Sequence, residues 1–209
     1  GYAWFQKSDA PTIIALTDAT YAEISKDALQ PTNIGVIEFE NYLHLCGNTS
    51  GDARFSWRSD YPKGYDKVLS QALGINITPI PYDRSSAEIE ALLAKDIDMS
   101  LFNTKNAIKV TAKGISCPYY TGSTVDKNVG AQPLTTLTSD DKATLSFTYF
   151  TMIKNIDDVE ALRSILSKQI ENDEYASFVA GRKAEYVGDS SLSQDVLGKY
   201  LNTQIQNWR

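Results

Sequence analysis

The 209-residue chain holds one histidine, two cysteines and two methionines, and no apolar run nears the ~20 residues that a membrane-spanning helix needs. Each scarcity excludes something. A single histidine, His44, cannot build a histidine-rich metal site, and no His-Glu-x-x-His, phosphate-loop or Gly-x-Ser-x-Gly pattern is present. Two cysteines are too few for a disulfide scaffold and lack Cys-x-x-Cys spacing. Lys and Arg total 20 against 26 Asp and Glu, for a net charge of −6 and a pI near 4.8, and the basic residues nowhere cluster. That balance argues against a nucleic-acid partner, whose affinity comes from clustered cations. What is present is an ordinary globular composition, 42% hydrophobic, enough for one large domain or two small ones. A start at Gly1 without Met implies a processed, trimmed or fragmentary chain from which any secretory signal has gone.

The most informative stretch is GINITPIPYDRSSAEIEALLAKDIDMSLFN, from Gly74 to Asn103. Ile75 and Ile77 alternate with Asn76 and Thr78 as in a half-buried strand, which Pro79 and Pro81 are expected to end. Ser85 and Glu88 have the spacing of a capping box, and Ile89, Leu92 and Leu93 form an i, i+3, i+4 stripe. Asp96 closes the helix, and Ile97, Met99 and Leu101 alternate in a second strand. Two strands joined by such a helix are expected to be parallel, a βαβ unit.

The rest reads more briefly. GYAWFQ, residues 1–6, is expected to be a short buried strand, followed by a polar loop over 7–12 and a helix from about Pro11. Residues 34–39 and 42–46 read as two strands around Glu40 and Asn41, with His44 structural. Residues 48–52 are turn chemistry, residues 54–57 are extended, and residues 58–61 form a polar loop. Tyr65, Val68, Leu69, Ala72 and Leu73 then make an amphipathic helix. The succession from Arg54 to Phe102 is strand, loop, helix, strand, loop, helix, strand, with both polar loops at strand carboxyl ends, where open parallel sheets bind ligands. A long strand spans 145–153, a helix led by Asp157 and Asp158 carries Val159 to Ile170, and a short helix ends at Gly181. A strand at 185–187 precedes a last helix started by Ser191 and Gln194. Cys46 and Cys117 either pair in an oxidising compartment or lie apart as buried thiols. Two glycosylation sequons, at Asn48 and Asn76, are short enough to arise by chance.

Three pieces of the sequence, in order, resemble one family. Gly74 to Asn103 resembles the pattern aG-x-x-x-x-hVPYkGsapAl-x-ALlgGqvDv-x-f-x-n of the Bug-type periplasmic receptors, the substrate-binding proteins of tripartite tricarboxylate transporters. The tail, FTYFTMIKNIDDVEALRSILSKQIENDEYASFVAGRKAEYVGDSSLSQDVLGKYLNTQIQNWR, is similar to the family ending, and GYAWFQKSD looks like its "dGYTLLlgs" segment. The resemblance implies an α/β, periplasmic-binding-protein-like fold of two lobes with mainly parallel sheets, the first lobe incomplete because the family's opening segment has no counterpart. It places residues 1–45 and 146–209 in the first lobe and 46–145 in the second. It implies a secreted, periplasmic or extracellular Venus-flytrap receptor that captures a small carboxylate for membrane transporter subunits, with no catalysis, no cofactor and no metal.

By the same resemblance, ligand contacts fall at Lys7, Ser8 and Asp9 in the first lobe, and at Ser56, Arg58, Ser59, Tyr61, Tyr82, Asp83, Arg84, Ser85 and Asn103 in the second. Guanidinium geometry suits Arg58 and Arg84 to carboxylate capture, whereas the plainer reading pairs them with Asp60 or Asp83. The family's small-residue ligand loop is here SWRSDYPKGY, with bulky Trp57, Arg58 and Tyr61, and Asp83 and Arg84 replace its Lys and Gly. Those departures raise an alternative, a binding-protein-derived structural or interaction subunit of a larger assembly, completed by another chain or segment through an unpaired sheet edge.

Overall fold

Period-2 runs rich in Ile, Phe, Leu and Thr form the strands of this chain, and i, i+3, i+4 stripes form its helices. The computed structural model describes residues 2–59, 61–182, 185–186 and 193–209. In chain order the elements are α1 (Tyr2–Lys7), β1 (Thr12–Thr17), α2 (Asp18–Ile24), β2 (Ile34–Gly47), β3 (Ala53–Trp57), α3 (Tyr65–Leu73) and β4 (Ile77–Pro81). There follow α4 (Ser85–Ala94), β5 (Met99–Asn103), α5 (Thr104–Thr111), β6 (Tyr119–Tyr120), β7 (Gln132–Pro133) and β8 (Ser146–Lys154). The chain ends with α6 (Val159–Ile170), α7 (Asp173–Arg182), β9 (Glu185–Tyr186) and α8 (Gln194–Trp208). It divides into two compact units, Gly1–Asn41 with Phe147–Arg209, and Tyr42–Ser146.

In the first unit β1 pairs antiparallel with β8, Thr12 opposite Lys154 and Thr17 opposite Tyr149. β8 lies beside β2, onto which β9 also adds antiparallel. Phe5, Tyr21, Leu29, Ile34, Ile37, Phe150, Met152, Leu197, Leu201 and Ile205 pack into one core. A fully buried side chain of this kind contributes roughly 1.5–3 kcal/mol, so the α8 stripe Leu197, Leu201, Ile205 is a main anchor of the unit.

The second unit contains the expected strand, helix, strand, helix, strand succession. β4 and β5 flank β3 and both run parallel to it, so α4 carries the chain across β3 rather than between neighbouring strands. β5 in turn pairs antiparallel with the end of β2, Leu43 opposite Asn103 and Gly47 opposite Met99. Ala91, Leu92, Ile97, Phe102, Ala107 and Val110 form a core around the Cys46–Cys117 disulfide, which resolves the two readings of the cysteines. His44 is structural, as expected. It is 1% exposed, stacks near Tyr120 with ring centroids 5.4 Å apart, and places Nε2 3.4 Å from Asp126 Oδ2. Burial lowers the His44 imidazole against the pull of Asp126. Burial also works to raise Asp126, but bonds from the Val129 amide and Asn128, with His44, hold it below its usual range.

Several local readings give way to tertiary context. YAWFQ, from Tyr2 on, is helix rather than the strand expected over residues 1–6: Phe5 is buried and Tyr2 packs on the same core, while Lys154 Nζ donates to the carbonyl oxygens of Phe5 at 3.4 Å and Gln6 at 2.7 Å. Those bonds satisfy acceptors that a helix end leaves open. TIIALT, rich in β-branched residues, forms β1 instead of starting a helix at Pro11, and the helix begins at Asp18, where Thr17 Oγ1 accepts from the Thr20 amide at 3.1 Å. The two strands expected around Glu40 and Asn41 are one, β2, because Glu40 is buried and accepts from Thr148 Oγ1 at 3.3 Å. Pro79 and Pro81 lie inside β4, which is tolerated because β4 is the edge of its ladder and needs partners on one side only. α7 continues past Gly181 to Arg182. Ser193 caps α8, its Oγ accepting from the Val196 amide at 3.4 Å, while Ser191, Val187 and Asp60 lie outside the described residues.

Candidate functional site

The carboxyl ends of β3 and β4 bring together most of the residues read from the sequence. Arg58 directly follows β3 and Ser85 opens α4, and Arg58 Nη1 donates to Ser85 Oγ at 2.7 Å. The expected capping box is therefore absent. Arg84 occupies the cap position without a side-chain bond, and the Ser85 hydroxyl is turned to the guanidinium instead. Glu88, the other half of that box, is fully buried, with Oε2 3.9 Å from Arg58 Nη1. The guanidinium carbon also stands 5.8 Å from the centroid of the Tyr61 ring, over its face. Tyr61 is buried and held by its hydroxyl, which donates to the Leu101 carbonyl at 3.0 Å, and by its amide, which donates to the Arg58 carbonyl at 3.1 Å.

Around this centre the other residues take different places. Asp83, Arg84 and Ser59 are exposed, and Tyr82 is half-buried against the second core, its amide donating to the Trp57 carbonyl at 2.8 Å. Ser56 is buried within the sheet, its hydroxyl 2.6 Å from that of Ser100. Asn103 caps α5, its Oδ1 accepting from the Asn106 amide at 3.0 Å. The structure thus groups Arg58, Tyr61 and Ser85, sets Asp83 and Arg84 on the adjoining turn, and engages Ser56 and Asn103 within the scaffold.

In the first unit Lys7 ends α1 and is exposed, as is Asp9. Ser8 is half-buried: its Oγ accepts from the Ala10 amide at 3.2 Å and from Thr12 Oγ1 at 3.1 Å, and its carbonyl accepts from Asn155 Nδ2 at 3.1 Å. The loop after α1 is a bonded turn.

Sequence reasoning missed Glu88 as part of this group, although a signal existed. Glu88 sits at i−4 from Leu92 and i−3 from Ala91, on the buried stripe of α4, where a carboxylate needs a cation close by. Arg54, by contrast, is committed elsewhere: its Nε lies 2.9 Å from Asp98 Oδ2, and this pairing holds Asp98 below its usual range. Among the described residues no group of His, Cys, Asp and Glu is placed to hold a metal ion.

This two-unit α/β chain has the fold of solved periplasmic binding proteins. Solved structures bear this out. The chain is similar to the periplasmic binding protein BugD (TM-score 0.64, 12% identity, covering 94% of this chain and 75% of that one). It is similar also to MatC from Rhodopseudomonas palustris with bound malate (TM-score 0.64, 13% identity, 94% and 77% covered). A TctC solute binding protein from Polaromonas aligns with TM-score 0.66 at 10% identity, over 94% of this chain and 75% of its own. At such identities the likeness is one of fold. The sequence matches no family model and no curated protein.

Proposed function

We propose that this chain is an extracytoplasmic solute-binding protein that takes up a small carboxylate and delivers it to a membrane transporter of the tripartite tricarboxylate type. Its two units then act as the lobes, and it performs no catalysis. The observation that carries the reading is the Arg58 guanidinium held by Ser85 and Tyr61 at the carboxyl end of β3, in a fold shared with a malate-bearing protein. A guanidinium is suited to a carboxylate because its planar donors match the two oxygens. The Cys46–Cys117 disulfide supports an oxidising compartment such as the periplasm or the cell exterior. Isothermal titration with mono-, di- and tricarboxylates tests this: binding in the micromolar range that Arg58→Ala weakens at least tenfold is the expected result.

A second reading is favoured by two residues of the resemblance that the scaffold consumes, Ser56 bonded to Ser100 and Asn103 bonded to the Asn106 amide. On that reading the chain is a binding-protein-derived subunit of an assembly. No thermal stabilisation by any carboxylate, together with concentration-dependent mass in solution, is the result it requires.

A further inference from the structure

The first unit holds a cavity of about 510 Å³, within the size range of small-molecule sites. Its walls come from α1, α2, the segment between α2 and β2, and the end of β8, so it shares no residue with the Arg58 group of the second unit. Buried Phe5, Tyr21 and Met152 make its apolar part, and the Tyr2 ring stands with its centroid 6.2 Å from that of Phe5 and 5.7 Å from that of Tyr21. Two groups of opposite charge, Asp27 and Lys154, line the same cavity without pairing with each other. The Asp27 backbone is pinned: its amide donates to Ser25 Oγ at 3.2 Å and its carbonyl accepts from Arg209 Nη2 at 2.9 Å. Its carboxylate has no hydrogen-bond or ion-pair partner among the described residues. Lys154 Nζ is held by the Phe5 and Gln6 carbonyl oxygens, which take two of its three donors and leave one unspent. The side-chain amides of Gln30 and Asn33, on the same wall, are likewise unspent among the described residues.

We infer that this cavity is a second binding site, for a free α-amino acid with a large apolar side chain: the ammonium at Asp27, the carboxylate at Lys154, and the side chain on Phe5, Tyr21 and Met152. A zwitterion uses both unpaired charges at once, whereas an ion of one sign leaves the other without a partner. An aromatic side chain fits the apolar part best, because Tyr2 and Tyr21 offer ring edges and faces and Met152 offers a sulfur. The amides of Gln30 and Asn33 supply further donors and acceptors for the polar end. The site stands apart from Arg58 and does not depend on the carboxylate-uptake reading above.

Isothermal titration of the wild-type chain with phenylalanine, 3-phenylpropanoate and phenethylamine tests this, since the two analogues each lack one of the charges. Phenylalanine is expected to bind, and each analogue to bind on the order of tenfold more weakly. Asp27→Asn changes an exposed side chain that bonds to nothing in the fold. It should weaken phenylalanine on the order of tenfold and abolish its preference over 3-phenylpropanoate, with any binding of succinate unchanged. Arg58→Ala should leave phenylalanine binding in place. No heat with phenylalanine up to about 10 mM, or an analogue that binds as tightly, overturns the inference. So does a loss in Arg58→Ala with none in Asp27→Asn, which would assign the amino acid to the solute site instead. The analogue comparison needs no variant, so the inference stays open to refutation even where a variant fails to fold.

Discussion

Replacing Asp18 with Asn should make the first unit more stable at neutral pH while leaving its stability in mild acid far less changed. Asp18 is fully buried at the start of α2, where Oδ1 accepts from the amides of Ala19 at 2.7 Å and Thr148 at 3.0 Å. Burial raises its carboxyl from 3.8 to about 7, with the amides of Ala19 and Thr148 pulling the other way. A raised acid favours the protonated folded state. Its contribution is complete below pH 3.8, declines as pH climbs from there to about 7, and stays low above that. The gap corresponds to roughly 4 kcal/mol over the whole window, of which roughly 2–3 kcal/mol falls between pH 5 and pH 8. Asn offers a carbonyl oxygen to the same two amides and cannot ionise. The stability of Asp18→Asn relative to wild type should therefore rise by roughly 2–3 kcal/mol from pH 5 to pH 8, read by urea unfolding in a series of buffers. Parallel pH profiles for the two proteins would refute the reasoning, since they would mean that the ionised carboxylate is accommodated without penalty.

Three further outcomes follow from the geometry. Arg58→Ala removes the bond to Ser85 and the cation beside buried Glu88, and should destabilise the second unit by about 1–3 kcal/mol in thermal unfolding; an unchanged melt would contradict the role given to Arg58. The Cys46–Cys117 disulfide spans a sequence separation of 71, so its reduction should remove roughly 4 kcal/mol on the chain-entropy account, measured as a lower urea midpoint with reductant present. Gly47→Ala should be among the most damaging small substitutions, at about 2–4 kcal/mol in thermal unfolding, because φ is +115° there and an added Cβ would run into the Asp98 carbonyl oxygen.

What the sequence determined by itself is the alternation of strand and helix from Arg54 to Phe102, along with α6 and α8. In those segments the period of the apolar residues, joined in α6 by the Asp158 cap, specifies each element within its own dozen residues. The placement of Arg58 and Ser85 at strand carboxyl ends follows from that succession. Tertiary structure decided the rest, wherever a residue's partner is distant in sequence. YAWFQ became a helix because Lys154 supplies donors to its last turn and a core waits for Phe5. β2 runs unbroken through Glu40 because Thr148 meets that carboxylate. Pro79 and Pro81 stay within a strand because β4 has an open side. The same holds at the candidate site. Ser85 and Glu88 carry the spacing of a helix cap, yet an arginine 27 residues before Ser85 captures its hydroxyl and lies against the Glu88 carboxylate. A buried charge is answered by whichever countercharge the fold brings within a few ångströms, and spacing along the chain does not encode that proximity.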